Sequence, residues 1–199
     1  MKIQDLIISW FLEKLKMNYK NSEGSQMKNF LENAQQIKDE MIQIRRDLHN
    51  HPEVGEDLPR TTAFVMGKLK EYGYEPTEIC QSGIVALAGG KKPGKTFLLR
   101  ADMDALPIKE ETNYEFKATN GNMHACGHDF HTTMLLGAAK LLKQHEDEIN
   151  GTIKLVFQPD EEGFTGAKKM LNAGVLENPK VDAAMAMHVH SGTPSNVVL

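Results

Sequence analysis

Three histidines, a cysteine and an aspartate fall within the ten residues Asn122-Met123-His124-Ala125-Cys126-Gly127-His128-Asp129-Phe130-His131, directly ahead of the apolar run Thr133–Leu142. Cys126 and His128, two apart around Gly127, can turn towards one point from a loop rather than from a helix. A thiolate with an imidazole suits zinc or a similar transition metal, whereas calcium and magnesium are held by oxygen. Asp129 most simply caps the helix that starts there, and can also fix the tautomer of a ligand imidazole. His124 and His131 flank the motif, with roles expected outside the ligand set.

Two ligands do not make a site, and further candidates stand elsewhere in the chain. Glu161 and Glu162 follow Pro159-Asp160 and precede Gly163. Adjacent residues in an extended turn point different ways, so one carboxylate can bind metal while the other faces the water to be activated. Hydrolysis at a metal needs that division between Lewis acid and base. Asp102 and Asp104 share one side of an extended chain, as ligands or, preferably, as orienting groups behind them. His188 ends an apolar run and is the favoured histidine there, although His190 lies on the same side. His49 and His51 sit around a helix end, where cap and dipole contacts explain them. Gly89-Gly90-Lys91-Lys92 lacks the spacing of a phosphate loop, and no serine-centred nucleophile elbow is present.

The elements that must position these residues are legible in the periodicity. From Met27, the residues Phe30, Ala34, Ile37, Met41, Ile44 and Leu48 alternate steps of four and three, predicting one helix that Pro52 stops. A second helix runs from a Thr61 cap to about Tyr72, ended by Gly73. Strands are expected at Ile84–Ala88, Thr96–Ala101, Thr152–Gln158 and Ala183–Met187. Helices are expected from about Asp129 to His145 and over Thr165–Ala173. This alternation predicts an α/β fold, three layers of α/β/α with a mostly parallel central sheet. Ligands bind such sheets beyond the carboxyl ends of the strands. Asp102 and Asp104, Glu161 and Glu162, and His188 all lie just past such an end, and the cysteine loop reaches the same rim.

The bulk composition narrows the partners. Hydrophobic residues make up 40% and charged residues 25%, with a formal net charge of −4, which gives no reason to expect nucleic acid. The two cysteines, Cys80 and Cys126, exclude a disulfide framework and fit a reducing, cytoplasmic setting. No apolar run approaches the roughly 20 residues of a membrane span. Ile3, Leu6, Ile7, Trp10, Phe11 and Leu15 form a short helical stripe, followed by polar Asn18–Gln26. Residues 1–26 read as an N-terminal extension or linker, with Met27 the expected natural start.

Several ordered motifs resemble a known superfamily. They are Arg45-Arg46-Asp47-Leu48-His49 with His51-Pro52-Glu53, Leu99-Arg100-Ala101-Asp102-Met103-Asp104-Ala105-Leu106-Pro107, His124-Ala125-Cys126-Gly127-His128-Asp129, Phe157-Gln158-Pro159-Asp160-Glu161-Glu162-Gly163 and Met187-His188. Together they are similar to the aminoacylase and acetylornithine-deacetylase superfamily of binuclear metallohydrolases. Within it they look most like the N-acyl-amino-acid amidohydrolase branch, with hippurate hydrolase and indoleacetyl-amino-acid hydrolase. The resemblance implies a zinc-exopeptidase-like catalytic domain with two divalent metal ions, zinc or manganese. Cys126, His128, Glu162 and His188 would be ligands, Glu161 the general base and Asp104 an orienting residue. Asp102 stands where other branches carry a ligand histidine. The implied reaction is hydrolysis of the amide bond of an N-acyl amino acid or small peptide by a metal-activated water.

Members of that branch are nearly twice this length and carry a dimerising lid domain, which implies a homodimer for the full-length protein. Residues 27–199 then correspond to the N-terminal part of the catalytic domain, without the lid or a further ligand histidine. The expectation is that this chain alone binds metal weakly and hydrolyses little. A competing reading is a non-catalytic metal-binding or regulatory module built on the same fold.

Overall fold

A computed structural model describes residues 23–192. The stripe Ile3–Leu15 and the strand-like Asn196–Leu199 lie outside the described residues. The expected single helix is two: α1 (Glu23–Gln36) and α2 (Lys38–Asn50), meeting at Ile37. Backbone bonds from Ile37 N to Asn33 O and from Met41 N to Ile37 O continue across the joint, so the chain bends there rather than stopping. Both helices pack against α4 (His128–Gln144). The approach is close: a Cβ on Gly137 of α4 would come within 2.9 Å of Met41 Sδ. The first helix also begins before Met27, inside the segment that composition marks as linker.

Helix α3 (Pro59–Glu71) has Pro59 in its first turn, where a missing N–H costs nothing. Thr61 does not cap it. The Glu53 carboxylate does, accepting from the backbone N–H groups of Arg60 (3.1 Å) and Thr61 (2.7 Å). Gly73 ends the turn after the helix at φ +91°, a backbone state open to glycine at no steric cost.

The sheet has five strands in the order β1-β2-β4-β3-β5: β1 (Thr77–Cys80), β2 (Gly83–Gly89), β3 (Thr96–Asp102), β4 (Thr152–Gln158) and β5 (Ala183–Ala186). β3 pairs in parallel with both β4 and β5, whereas β2 lies antiparallel to β1 and β4. The parallel part is the half that carries the candidate site. β1 escapes pattern reading because it is short and half-exposed, with no alternation.

In β4, Ile153, Leu155 and Phe157 enter the main core with α2, α3 and α4. Val156 points to the other face, packing with Leu98, Met170 of α5 (Gly166–Asn172) and Val175. Lys154, on that second face, is fully buried and donates to the carbonyl oxygens of Val175 (2.9 Å), Glu177 (2.7 Å) and Pro179 (2.8 Å). Its ammonium so ties the return loop to the sheet, replacing the water it loses with three charge-assisted bonds. The layers are helix, sheet, helix, with most of the helical mass on one face. Among the described residues, no helix is long and apolar enough to cross a membrane.

Candidate metal centre

Register brings the predicted residues together. Asp102 pairs with Gln158, and β5 ends at Ala186 opposite Arg100, two residues short of that level, so the three parallel strands end at the same edge of the sheet. Asp104, Glu161-Glu162 and His188 each follow the end of their own strand by a few residues. α4 runs back from the same end, its N-cap Gly127 at φ +87° turning the Cys126–His128 loop onto the rim. Glu161 and Glu162 sit in a turn in which Asp160 and Phe164 both have positive φ, the kind of local strain that clusters at functional sites.

His128 is the hub. Its Nδ1 lies 2.8 Å from the Asp104 carbonyl oxygen and 3.3 Å from Asp104 Oδ1, acceptors only, so Nδ1 carries the hydrogen. That leaves the Nε2 lone pair free, buried and without a hydrogen-bond partner. Around Nε2 stand Glu161 Oε2 and Asp102 Oδ2 at 3.7 Å and Glu162 Oε1 at 3.8 Å. Burial alone would lower the His128 pKa, but the Asp104 hydrogen bond and the charges of Asp102, Asp104 and Glu162 raise it above the usual imidazole value.

Cys126 and His188 close the other side. Cys126 Sγ is 3.4 Å from His188 Nε2, with the Glu162 carboxylate beside the thiol. Burial, then Glu162 and the charges of Glu161 and Asp102, push the Cys126 thiol up to about 11. His188 Nδ1 donates to the Val189 carbonyl (2.6 Å), so its Nε2 carries a lone pair turned to the Cys126 thiol. His190 is exposed and is absent from the ligand-like groupings among the described residues. The cluster resolves into three sets of potential ligand atoms within 4.8 Å of one another: Cys126/His128/His188, Asp102/His128/His131 and His128/Glu161/Glu162.

These residues fit a cation. His128 Nε2, Glu162 Oε1 and Asp104 Oδ1 are buried without a partner, an arrangement that costs roughly 1–3 kcal/mol per group unless something satisfies it. A soft thiolate, imidazoles and carboxylates together are the donors a transition metal takes. Asp102 and Asp104 are both almost fully buried, and Asp102 also falls in the ligand-like grouping with His128 and His131. Asp104 Oδ2 also accepts the Glu162 N–H at 3.0 Å, joining two strand ends.

A second cluster was not legible in the sequence. His49, at a helix end, is 3% exposed, and its Nδ1 lies 2.8 Å from Asp129 Oδ2 and its Nε2 3.1 Å from Glu110 Oε1. An acceptor at each ring nitrogen stabilises the imidazolium, against the Arg45 Nη2 donor 3.1 Å from Nδ1. Burial opposes that charge, but the bonds to Asp129 and Glu110 raise the His49 pKa despite nearby Arg45. Asp129 does not hold the N-cap position, which is that of Gly127: its Oδ2 goes to His49 and to Arg45 Nε at 2.8 Å, while its Oδ1 accepts the Phe130 N–H at 3.0 Å in the first turn. Glu110 comes from the loop between β3 and α4, sixty-one residues from His49 along the chain, with no local signal to mark it.

A mixed sheet with helices on both faces and a His/Cys/carboxylate cluster past its parallel strand ends defines a layered α/β hydrolase-type domain with a candidate metal centre. Residues 98–198 match Peptidase family M20/M25/M40, and the chain belongs to that family. It is 49% identical over 167 residues to IAA-amino acid hydrolase ILR1-like 5 of Arabidopsis thaliana, covering 81% of this chain and 38% of that protein. It is 46% identical over 169 residues to Thermostable carboxypeptidase 1 of Saccharolobus solfataricus, covering 82% and 42%. The fold matches the crystal structure of the Bacillus subtilis YXEP protein, described as a dinuclear metal-binding peptidase of the M20 family. There the TM-score is 0.76 at 41% identity, over 80% of this chain and 45% of that one. The chain thus spans about two-fifths of the length of these curated relatives.

Proposed function

We propose that this chain carries the catalytic face of a metal-dependent hydrolase that cleaves the amide bond of N-acyl amino acids or small peptides. The observation behind the reading is the free, buried Nε2 of His128 with the Glu161 and Glu162 carboxylates on either side of it. Cys126, His128, Glu162 and His188 would hold two divalent ions. Zinc or manganese there would supply Lewis acidity and lower the pKa of a water.

The chain's own residues supply the proton handling. Glu162 is anchored by its N–H on Asp104, and its Oε1 is buried without a partner, which suits a ligand. Glu161, with its side chain 34% exposed, is the freer carboxylate at the mouth of the cluster. It takes a proton from the water whose oxygen bonds to the amide carbon, and delivers it to the nitrogen as the C–N bond breaks. The two curated relatives are named for hydrolysis of an amino-acid conjugate and for carboxypeptidase action. Both names fit an amide whose nitrogen belongs to an amino acid with a free carboxylate, which supports that substrate class here.

The test is hydrolysis of N-acetyl and N-aroyl amino acids by the protein expressed from its native reading frame, with and without a chelator. Glu161→Gln should lower turnover by about 10²–10⁴-fold with metal content unchanged. Metal-loaded protein with no turnover on any such amide, before or after the substitution, would establish the non-catalytic module instead.

A further inference from the structure

His131 belongs to no assigned role, yet both of its ring nitrogens are engaged. The Val189 backbone N–H donates to His131 Nε2 at 2.9 Å. An amide nitrogen can only donate, so Nε2 carries a lone pair and the ring hydrogen sits on Nδ1, which donates to Asp102 Oδ1 at 2.5 Å. The tautomer is fixed by partners at both ends. With both nitrogens occupied, His131 is excluded from ligation although it falls in one of the ligand-like groupings.

Val189 is the residue after His188, and β5 has already ended at Ala186. No ladder bond therefore places His188. Three contacts at Val189 do: its N–H on His131, its carbonyl on His188 Nδ1, and its side chain against Gly127 in the cysteine loop. A Cβ at position 127 would collide with Val189 Cγ2, so Gly127 is required by close approach as well as by its φ. The His131 ring also lies edge-on to the His188 ring, with centroids 4.5 Å apart. Asp102 is itself steadied by Arg100 Nη1 at 2.7 Å, and Thr132 Oγ1 donates to the Asp102 carbonyl at 2.9 Å.

We infer that His131, held by Asp102 as the neutral Nδ1–H tautomer, is a positioning residue that clasps the Val189 amide and thereby sets His188 opposite Cys126. This rests on the metal-binding reading of Cys126, His128 and His188. Without the clasp the segment after β5 swings free, and the cluster keeps His128, Glu161 and Glu162 but loses its exposed histidine.

Amide side chains separate the two bonds. Gln at 131 places a carbonyl oxygen near the Nε2 position and can still accept from Val189. Asn reaches only the Nδ1 position and can still donate to Asp102. The probe is cobalt(II) added to the purified chain, followed by the thiolate-to-cobalt absorption of Cys126. His131→Asn should weaken cobalt binding about 10–100-fold, while His131→Gln stays within about threefold of the parent. Equal binding by parent and His131→Asn, or equal weakening by Asn and Gln, overturns the clasp and leaves the metal reading intact. A parent chain that binds no cobalt sinks the metal reading instead. Ring-nitrogen NMR of the metal-free chain decides the tautomer in every case. An Nδ1–H imidazole at His131 supports the clasp, and an Nε2–H or doubly protonated ring refutes it.

Discussion

His49 and His128 are both buried, both face more than one carboxylate and are joined through consecutive residues, since His49 holds Asp129 and Asp129 follows His128. Their chemistry is opposite. At His49 every polar atom that matters is answered: Nδ1 by Asp129, Nε2 by Glu110, and Glu110 in turn by the Thr112 hydroxyl and the Ala118 N–H. At His128 one nitrogen is answered by the Asp104 backbone, while the other faces three carboxylates across 3.7–3.8 Å with no bond to any of them. A histidine among carboxylates is thus no sign of a metal. Satisfaction decides: a closed cluster is complete as scaffold, and an open one has an unfilled place for positive charge.

The comparison breaks most easily at the closed cluster. His49→Ala leaves Glu110 buried without its cation and Asp129 with Arg45 as its one remaining cation. Removing one partner of a buried charge network costs about 3–5 kcal/mol, a large share of the stability of a domain this size. Urea denaturation of the metal-free chain should show the midpoint falling accordingly. A loss under about 1 kcal/mol would mean that water replaces the imidazolium and that the cluster is not closed.

At the open cluster the sign should reverse. Glu162→Gln removes one charge from a crowd of carboxylates in which Arg100 answers only Asp102, and it ends the carboxylate's pull on the Cys126 thiol. The metal-free variant should be more stable than the parent by about 0.5–2 kcal/mol. Added zinc or manganese should raise the parent's Tm, by about 2.7 kcal/mol of stability at a hundredfold excess over Kd, and should raise the variant's little. A parent unmoved by either ion would remove the distinction between the clusters.

How much of this was legible follows from where each residue's partners lie. Asp104, Glu161, Glu162 and His188 could be placed because the apolar runs before them end at one edge of the parallel part of the sheet, and the observed pairing of Asp102 with Gln158 and of Arg100 with Ala186 brings those ends to the same edge within two residues. Cys126 and His128 announced themselves by spacing. His49 did not, because its partners lie 61 and 80 residues away, and Glu110 sits in a loop without periodicity. The caps failed for a related reason. Thr61 and Asp129 have the right chemistry locally, but Glu53 already occupies the N-terminus of α3, and Asp129 gives one oxygen to Arg45 and His49 and keeps only the other on the Phe130 N–H. The bend at Ile37 is likewise set from outside, by two helices that must both lie on α4.

The smallest effect sharpens the comparison through pH. The folded pKa of His49 is raised above 6.5, because its two carboxylate partners outweigh burial. Its contribution is therefore complete below that value and fades as pH rises through the folded pKa. Asp129 and Glu110 are held below 3.8 and 4.5 against burial, by His49 and by Thr112 with Ala118 respectively. Their contributions are complete above those values and fade only in stronger acid. The closed cluster should thus be at full strength between about pH 4.5 and 6.5 and weaken on the alkaline side. His128, also raised, adds a slope of the same sign in metal-free protein. Bound metal removes the His128 share, because ligation requires the neutral ring. Urea midpoints across pH 5–9 should therefore decline in both forms and more shallowly with metal present. The residual decline in the metal-loaded protein belongs to His49 and should vanish in His49→Gln. If it persists there unchanged, the imidazolium assignment of His49 is wrong.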